Sequence, residues 1–242
     1  MRFSIDSDVL ERFPGLSIGV VLASGVDNSR GREQAAEILR EQIERVCGEW
    51  SRERLELDPR ILAWREAYRR FGAKPKKHRC SVENMLRTIL SARPTPSINP
   101  VVDLYNAISL KHVIPAGGDD LDRVEGDIHL TIATGDERFV PLNGTDAVSP
   151  KPGEVIYRDD DDVLCRRWNW RECDKSKLTE STTNLCLVVE GLPPFSADDV
   201  SQIASELAET VETHCSGRTT VRVLDRHTPG VELSTSQTND RS

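Results

Sequence analysis

No run of apolar residues in this 242-residue chain approaches the roughly 20 needed to cross a bilayer, which excludes a helical membrane span. The opening residues, MRFSIDSDVLERF, carry acids and lack the apolar centre of an export signal, so a cytoplasmic protein is expected. Six cysteines (47, 80, 165, 173, 186 and 215) show no C-x-x-C pairing. Without an export signal they read as reduced thiols, mostly small buried side chains. Histidine is scarce, and only His78-x-Cys80 and His214-Cys215 place possible ligands together. Neither has a zinc spacing, and no metal or other cofactor is expected. No G-x-S-x-G elbow, Ser–Lys pair or Cys–His signature is visible, so nothing in the sequence places a covalent nucleophile.

Charge of one sign is scarce only locally. Between Trp64 and Arg93 lie nine basic residues (Arg65, Arg69, Arg70, Lys74, Lys76, Lys77, Arg79, Arg87, Arg93) and two acidic ones. That local charge of +7 leaves −15 for the rest of a chain whose formal charge is −8. An acidic body with one basic patch suits selective contact with phosphate, because the body repels a nucleic-acid backbone everywhere else. A solvated helix pair with clustered charge is the alternative reading.

The pattern along the chain predicts a strand near Phe3–Ile5, an apolar strand over Leu16–Ala23, and a helix over Glu33–Cys47. A second helix spans about Pro59–Phe71 and ends at Gly72, and a third carries Val82, Leu86 and Ile89 behind Ser81 as N-cap. From Asp127 the period changes to that of strands. Two of these flank the four aspartates Asp159–Asp162, which read as a hairpin turn rather than a cation site. A strand over Leu185–Val189, a helix over Ala197–Cys215 and a strand over Thr219–Leu224 follow. The expected fold is α+β, a mixed β-sheet with helices packed on it. Residues 1–58 are expected as an N-terminal extension packed on a core over 59–233, and 234–242 as a disordered tail.

Two stretches concentrate chemistry. In INPVVDLYNAISLKHVIPAGGDDLD (Ile98–Asp122), Val101, Leu104, Tyr105 and Ile108 make one apolar helical face, while Asn99, Asp103 and Asn106 share the opposite one. Short amides and a carboxylate suit fixed hydrogen bonds better than solvation. The stripe leads to Gly117-Gly118, where backbone can approach a ligand closely. Either it lines a polar pocket, or Asn99 caps the helix ahead of Pro100, and capping leaves Asp103 and Asn106 without a role. The second stretch is Arg166-Arg167-Trp168-Asn169-Trp170-Arg171-Glu172. Guanidiniums pair with phosphates and indoles stack on bases, which would suit a single-stranded RNA end. The alternative is an Arg–Trp cluster that stiffens a loop.

The blocks INPVVDLYN, GDIHLTIATGDERFVPLNG (Gly126–Gly144), PGEVIYRDDDDVLCRRWNWRE (Pro152–Glu172) and TESTTNLCLVVEG (Thr179–Gly191), with Pro115 and Asp120 between them, carry a resemblance. Over roughly Trp64 to Gly191 the chain resembles the B3/B4 editing module of the phenylalanyl-tRNA synthetase β subunit, and more closely its free-standing single-domain relatives. The resemblance implies hydrolysis of mischarged aminoacyl-tRNA in trans, by a pocket that positions water. Its partner would be the aminoacylated 3′ end of a tRNA, with neither DNA nor a membrane involved. On that reading Asn99, Asp103, Asn106, Gly117 and Gly118 form the catalytic region. Asp119, Asp120, Glu190, Trp168, Asn169 and Trp170 form the side-chain pocket. Lys74, Lys76, Lys77, Arg79, Arg93, Arg166, Arg167 and Arg171 contact the tRNA.

The sequence departs from the synthetase pattern twice. Gly117 stands where those modules have the His of Pro-x-His-x-x-Asp, and Val188 stands where they have a Glu, with Glu190 two residues on. Both positions belong to recognition of a misattached tyrosine, so tyrosine specificity is not carried over. The acids that remain point to a cationic amino acid, such as an arginine tRNA loaded with an arginine mimic like canavanine. A non-catalytic tRNA or amino-acid binding module is the other reading of the same departures.

Overall fold

The computed structural model describes residues 1–233. In chain order these form β1 (Arg2–Ile5), α1 (Ser7–Arg12), β2 (Ser17–Ser24), α2 (Arg32–Glu49), α3 (Arg52–Leu57), α4 (Pro59–Arg70), α5 (Ser81–Ile89) and α6 (Pro100–His112). Then come β3 (Ala116–Asp120), β4 (Ile128–Ile132), β5 (Val155–Arg158), β6 (Val163–Arg166), β7 (Arg171–Glu172) and β8 (Asn184–Gly191). The last are α7 (Ala197–Cys215), β9 (Arg218–Leu224) and β10 (Gly230–Glu232). The fold is α+β, with two sheets in place of the single one expected: β10-β1-β4-β5-β6-β7 and β3-β8-β2-β9.

The second sheet is covered on both faces, and β2 shows why its sequence is a continuous apolar run rather than an alternation. Ile18, Val20 and Leu22 join the core shared with the first sheet and α4, while Val21 and Ala23 join a second core under α6 and α7. Strand β8 divides in the same way, with Leu185, Leu187 and Val189 toward the helices and Cys186 toward the other sheet. Both N-terminal strands are interior: β1 lies between β10 and β4, and β2 between β8 and β9. Residues 1–58 are therefore woven into the sheets rather than laid on a finished core. The tail expected from Ser234 lies outside the described residues.

Helix α6 is buried nearly all round, with nine of its thirteen residues buried, including Asp103 and Ser109. Such a helix has no solvent stripe, so its polar side chains must find partners inside the protein. The next helix upstream starts one residue earlier than its capping pattern suggests: Cys80 is the N-cap and Ser81 the first helical residue. The aspartate turn is a hairpin between β5 and β6. Asp159 is fully buried there and accepts from the N–H groups of Asp161, Asp162 and Glu125, and from Lys175 Nζ at 2.7 Å. Through Lys175 this turn anchors the segment that enters the cleft described next.

Candidate functional site

Strand β3 runs along the edge of the second sheet, with Gly117 opposite Val188 and Gly118 opposite Leu187 on β8. A Cβ on Gly118 would lie 2.4 Å from Leu187 and 2.6 Å from the Cys186 carbonyl, so no side chain fits there. At Gly117 a Cβ would meet only Glu172 Oε1, at 3.4 Å. The two departures from the synthetase pattern are thus direct cross-strand partners, neighbours on one sheet face. The carboxylate of Glu172, reaching over from β7, occupies the space beside Gly117.

Two connected spaces open around β3. The outer one is a cleft of about 450 Å³, bordered by Ile98, Asn99, Val102 and Tyr105 on one side and by Leu142 and Asn143 on another. Cys173, Ser176, Lys177, Leu178, Thr179 and Glu180 complete it, with the charged Lys177 and Glu180 exposed, and Gly118, Asp119 and Glu172 form its floor. The inner one, about the size of a single water at 20 Å³, lies between the sheets and shares Gly118, Asp119 and Glu172 with the cleft. Gly117, Val188, Tyr157, Asn169 and Glu190 surround it.

Four carboxyls border these spaces; Glu180 lies on the exposed rim, and Asp119, Glu172 and Glu190 are held toward the protonated form. Burial pushes Asp119 up to about 6, although its bond from the Ser176 hydroxyl opposes the shift. Burial pushes Glu172 well above the usual carboxylate range, and the charges of Asp119 and Glu190 add to this. Glu190 is pushed up to about 7 by burial, against hydrogen bonds from Tyr157 Oη at 2.7 Å and Asn169 Nδ2 at 2.8 Å. Tyr68 Oη donates to Asn169 Oδ1 at 2.9 Å, so a buried chain of donors ends on Glu190. Crowding partly desolvated acids together raises their proton affinity and favours a cation beside them.

Of the stripe on α6, Asn99 reaches the cleft, and its amide is fully used. It accepts from Val102 N–H and from Asn28 Nδ2, and donates to the Leu178 carbonyl. Asn28 also bonds the Thr179 carbonyl and Val101 N–H, so this amide pair ties the N-terminus of α6 to the cleft rim. Asp103 is placed differently from the pocket expectation. It is fully buried and accepts from Ser97 Oγ and from Ile98 N–H at 2.9 Å, holding the turn before the helix. Asn106 is half-buried and borders neither space. The helix face that meets the cleft is Asn99, Val102 and Tyr105, because 3.6-residue periodicity cannot say which side of a wholly buried helix borders a cavity. Asp120 turns away too: it accepts from Thr182 Oγ1 at 2.7 Å and from Asp122 N–H at 3.1 Å.

The Arg–Trp block is mostly interior. Trp168 is fully buried, edge-on to Phe13 and Trp64 with ring centroids 4.8 and 5.0 Å away, so it cannot stack on a base. Arg166 and Arg167 are 8% exposed and both pair with the buried Glu154. Trp170 is half-buried beneath the Arg167 guanidinium at 4.4 Å, and Arg171 is exposed. In the basic segment Lys74, Lys76, Lys77 and Arg93 are largely solvent-facing, whereas Arg79 leans on the buried Glu83 at 3.6 Å, beside Arg65 and Arg87. Sequence reasoning missed Asn28, Tyr157, Glu172 and Ser176. Glu172 sits at the end of the Arg–Trp block, and only the pairing of β7 with β6 turns it inward.

Among the described residues no three His, Cys, Asp or Glu side chains converge as a metal site would require, and no helix is long and apolar enough to cross a membrane. A family model described as the B3/4 domain matches residues 63–232. The chain belongs to this family. A phenylalanine–tRNA ligase β subunit from Fusobacterium nucleatum is 32% identical over 79 residues, which is 33% of this chain and 10% of that protein. The B3/4 chain thus spans about a tenth of that relative's length. An N-terminal fragment of the phenylalanyl-tRNA synthetase β subunit from Pyrococcus horikoshii aligns with a TM-score of 0.49 and 12% identity, covering 90% of this chain and 49% of that one.

Proposed function

We propose that this B3/4 domain is a trans-acting aminoacyl-tRNA deacylase of the cytoplasm that removes a cationic, arginine-like amino acid such as canavanine from its tRNA. The observation that carries the reading is the cleft of about 450 Å³ with Asp119 and Glu172 on its floor. Its size suits an amino acid with its terminal ribose. A guanidinium entering it would meet two carboxyls held by burial and displace their protons. The ester then lies toward the rim of α6 and the 142–143 loop. The ester is already activated, so hydrolysis needs mainly an oriented water. Water adds to the ester carbonyl carbon, the bond to the ribose oxygen breaks, and the ribose hydroxyl and the free carboxylate are the products.

A binding module without hydrolysis is favoured by one observation. No His among the described residues borders the cleft, and the amide of Asn99 and the hydroxyl of Ser176 already have partners. The experiment is deacylation of a panel of correctly and incorrectly charged tRNAs, by the wild type and by Asp119→Asn. Turnover of arginine-like esters that drops at least about 30-fold in Asp119→Asn, with neutral esters little changed, is the expected result. Binding of the panel without turnover supports the module instead. Turnover confined to aromatic esters removes the acidic-cleft assignment.

A further inference from the structure

The Arg167 and Lys74 side of the molecule carries a second pocket that the deacylase reading leaves unused. It measures about 310 Å³ and is bordered by Lys74, Lys77, His78, Lys151, Glu154 and Arg167. Sequence alone does not gather these groups. Lys74 and Lys77 come together because Pro75 starts a turn in which Lys77 N–H and His78 N–H both donate to the Lys74 carbonyl, at 2.8 and 2.9 Å. Lys76, in the middle of that turn, is exposed and does not border the pocket. Lys151 arrives from the distant loop before β5.

The charges in this pocket do not balance. Glu154 is the one carboxylate bordering it among the described residues, and Arg166 takes both of its oxygens at 2.9 to 3.1 Å. Arg167 shares one of those oxygens at 2.9 Å and also lies over the Trp170 ring. His78 packs edge-on against the same ring, and its buried Nδ1 has no hydrogen-bond partner among the described residues. Burial lowers the proton affinity of both groups, and the charge of Arg166 on Arg167 and of Arg167 on His78 adds to it. A buried guanidinium, an unpartnered imidazole and three lysines around one shared carboxylate leave a surplus of positive charge and N–H donors suited to an anion.

We infer that this pocket binds a phosphate group. On the deacylase reading, from which this source follows, the phosphate is a backbone phosphodiester of the bound tRNA; a free phosphate is the other source of the same chemistry. The test compares wild type, Lys151→Ala, Lys77→Ala and the control Lys76→Ala, which removes the same charge outside the pocket. Thermal unfolding is followed with inorganic phosphate against chloride of equal ionic strength, and affinity for uncharged tRNA is measured in parallel. Phosphate should raise the melting temperature of wild type and Lys76→Ala, and not of Lys151→Ala or Lys77→Ala. Lys151→Ala should bind tRNA about tenfold more weakly, and Lys76→Ala only about twofold. Phosphate protection that depends on Lys151 without any tRNA binding would remove the deacylase reading and leave the pocket with a free phosphate. Lys151→Ala behaving like Lys76→Ala in both measurements would overturn the site.

Discussion

Glu190 makes the interior of this domain sensitive to pH, and the sign follows from its proton affinity. The unfolded chain releases this proton near 4.5, whereas the folded protein holds it up to about 7, chiefly because the carboxyl is buried. Between these values the folded state binds a proton that the unfolded state has lost, so stability falls as pH rises from about 4.5 to about 7 and levels off above. Asp119, raised to about 6, acts in the same direction. Replacing Glu190 by Gln removes one of these titrations. Its amide can satisfy Tyr157 and Asn169, provided Asn169 turns its oxygen toward the new N–H₂ and Tyr68 reverses its bond. The Glu190→Gln variant should therefore lose ~3 kcal/mol less than wild type on going from pH 5 to pH 8, read from urea midpoints at the two pH values. Equal losses in the two proteins would show that Glu190 does not titrate in this range.

Helix α6 and the rim over Leu178 and Thr179 act as one piece because Asn28 and Asn99 join them. Truncating Asn28 to Ala strands the buried Val101 N–H and leaves the Thr179 carbonyl at the cleft rim without its donor, which should cost about 2 kcal/mol by denaturant titration. The loosened rim should also raise KM for any ester bound in the cleft. A melting temperature unchanged from wild type would mean water replaces the amide. Much of the secondary structure was legible in the sequence: the strand read over Leu185–Val189 and the helix over Ala197–Cys215 have periodicity long enough to count. The six-residue α3 and three-residue β10 are too short for any period to register. Within the site, Asp119 and Asn99 could be picked out from their types. Trp168 could not be separated from a stacking platform, since its burial depends on Phe13 and Trp64, more than 100 residues away in sequence. The pairing of Arg166 and Arg167 with Glu154 is hidden for the same reason, because the hairpin that brings them together is a tertiary fact.

Taken across the whole molecule, the +7 window divides into cations that hold the fold and cations that face solvent. Arg65, Arg79 and Arg87 surround Glu83, which is 1% exposed, and Arg65 and Arg87 also pair with Glu56. Arg69 and Arg70 lean on Glu66. Lys74, Lys76 and Lys77 form no such pairs among the described residues and remain available to a partner. A charge count alone would treat Arg79 and the lysines alike, and the structure separates them. Neutralising Lys74, Lys76 and Lys77 together should leave the melting temperature close to wild type, because exposed charges contribute little to folding. It should flatten the slope of log affinity for tRNA against log salt by roughly 2, about 0.9 for each of the pocket lysines Lys74 and Lys77, with little from Lys76. Arg79→Ala should do the reverse, lowering the melting temperature by removing one of the cations around Glu83 while leaving the salt slope nearly intact. A triple-lysine variant that keeps the full slope, or an Arg79→Ala variant that loses it at unchanged stability, would reverse this division of the patch.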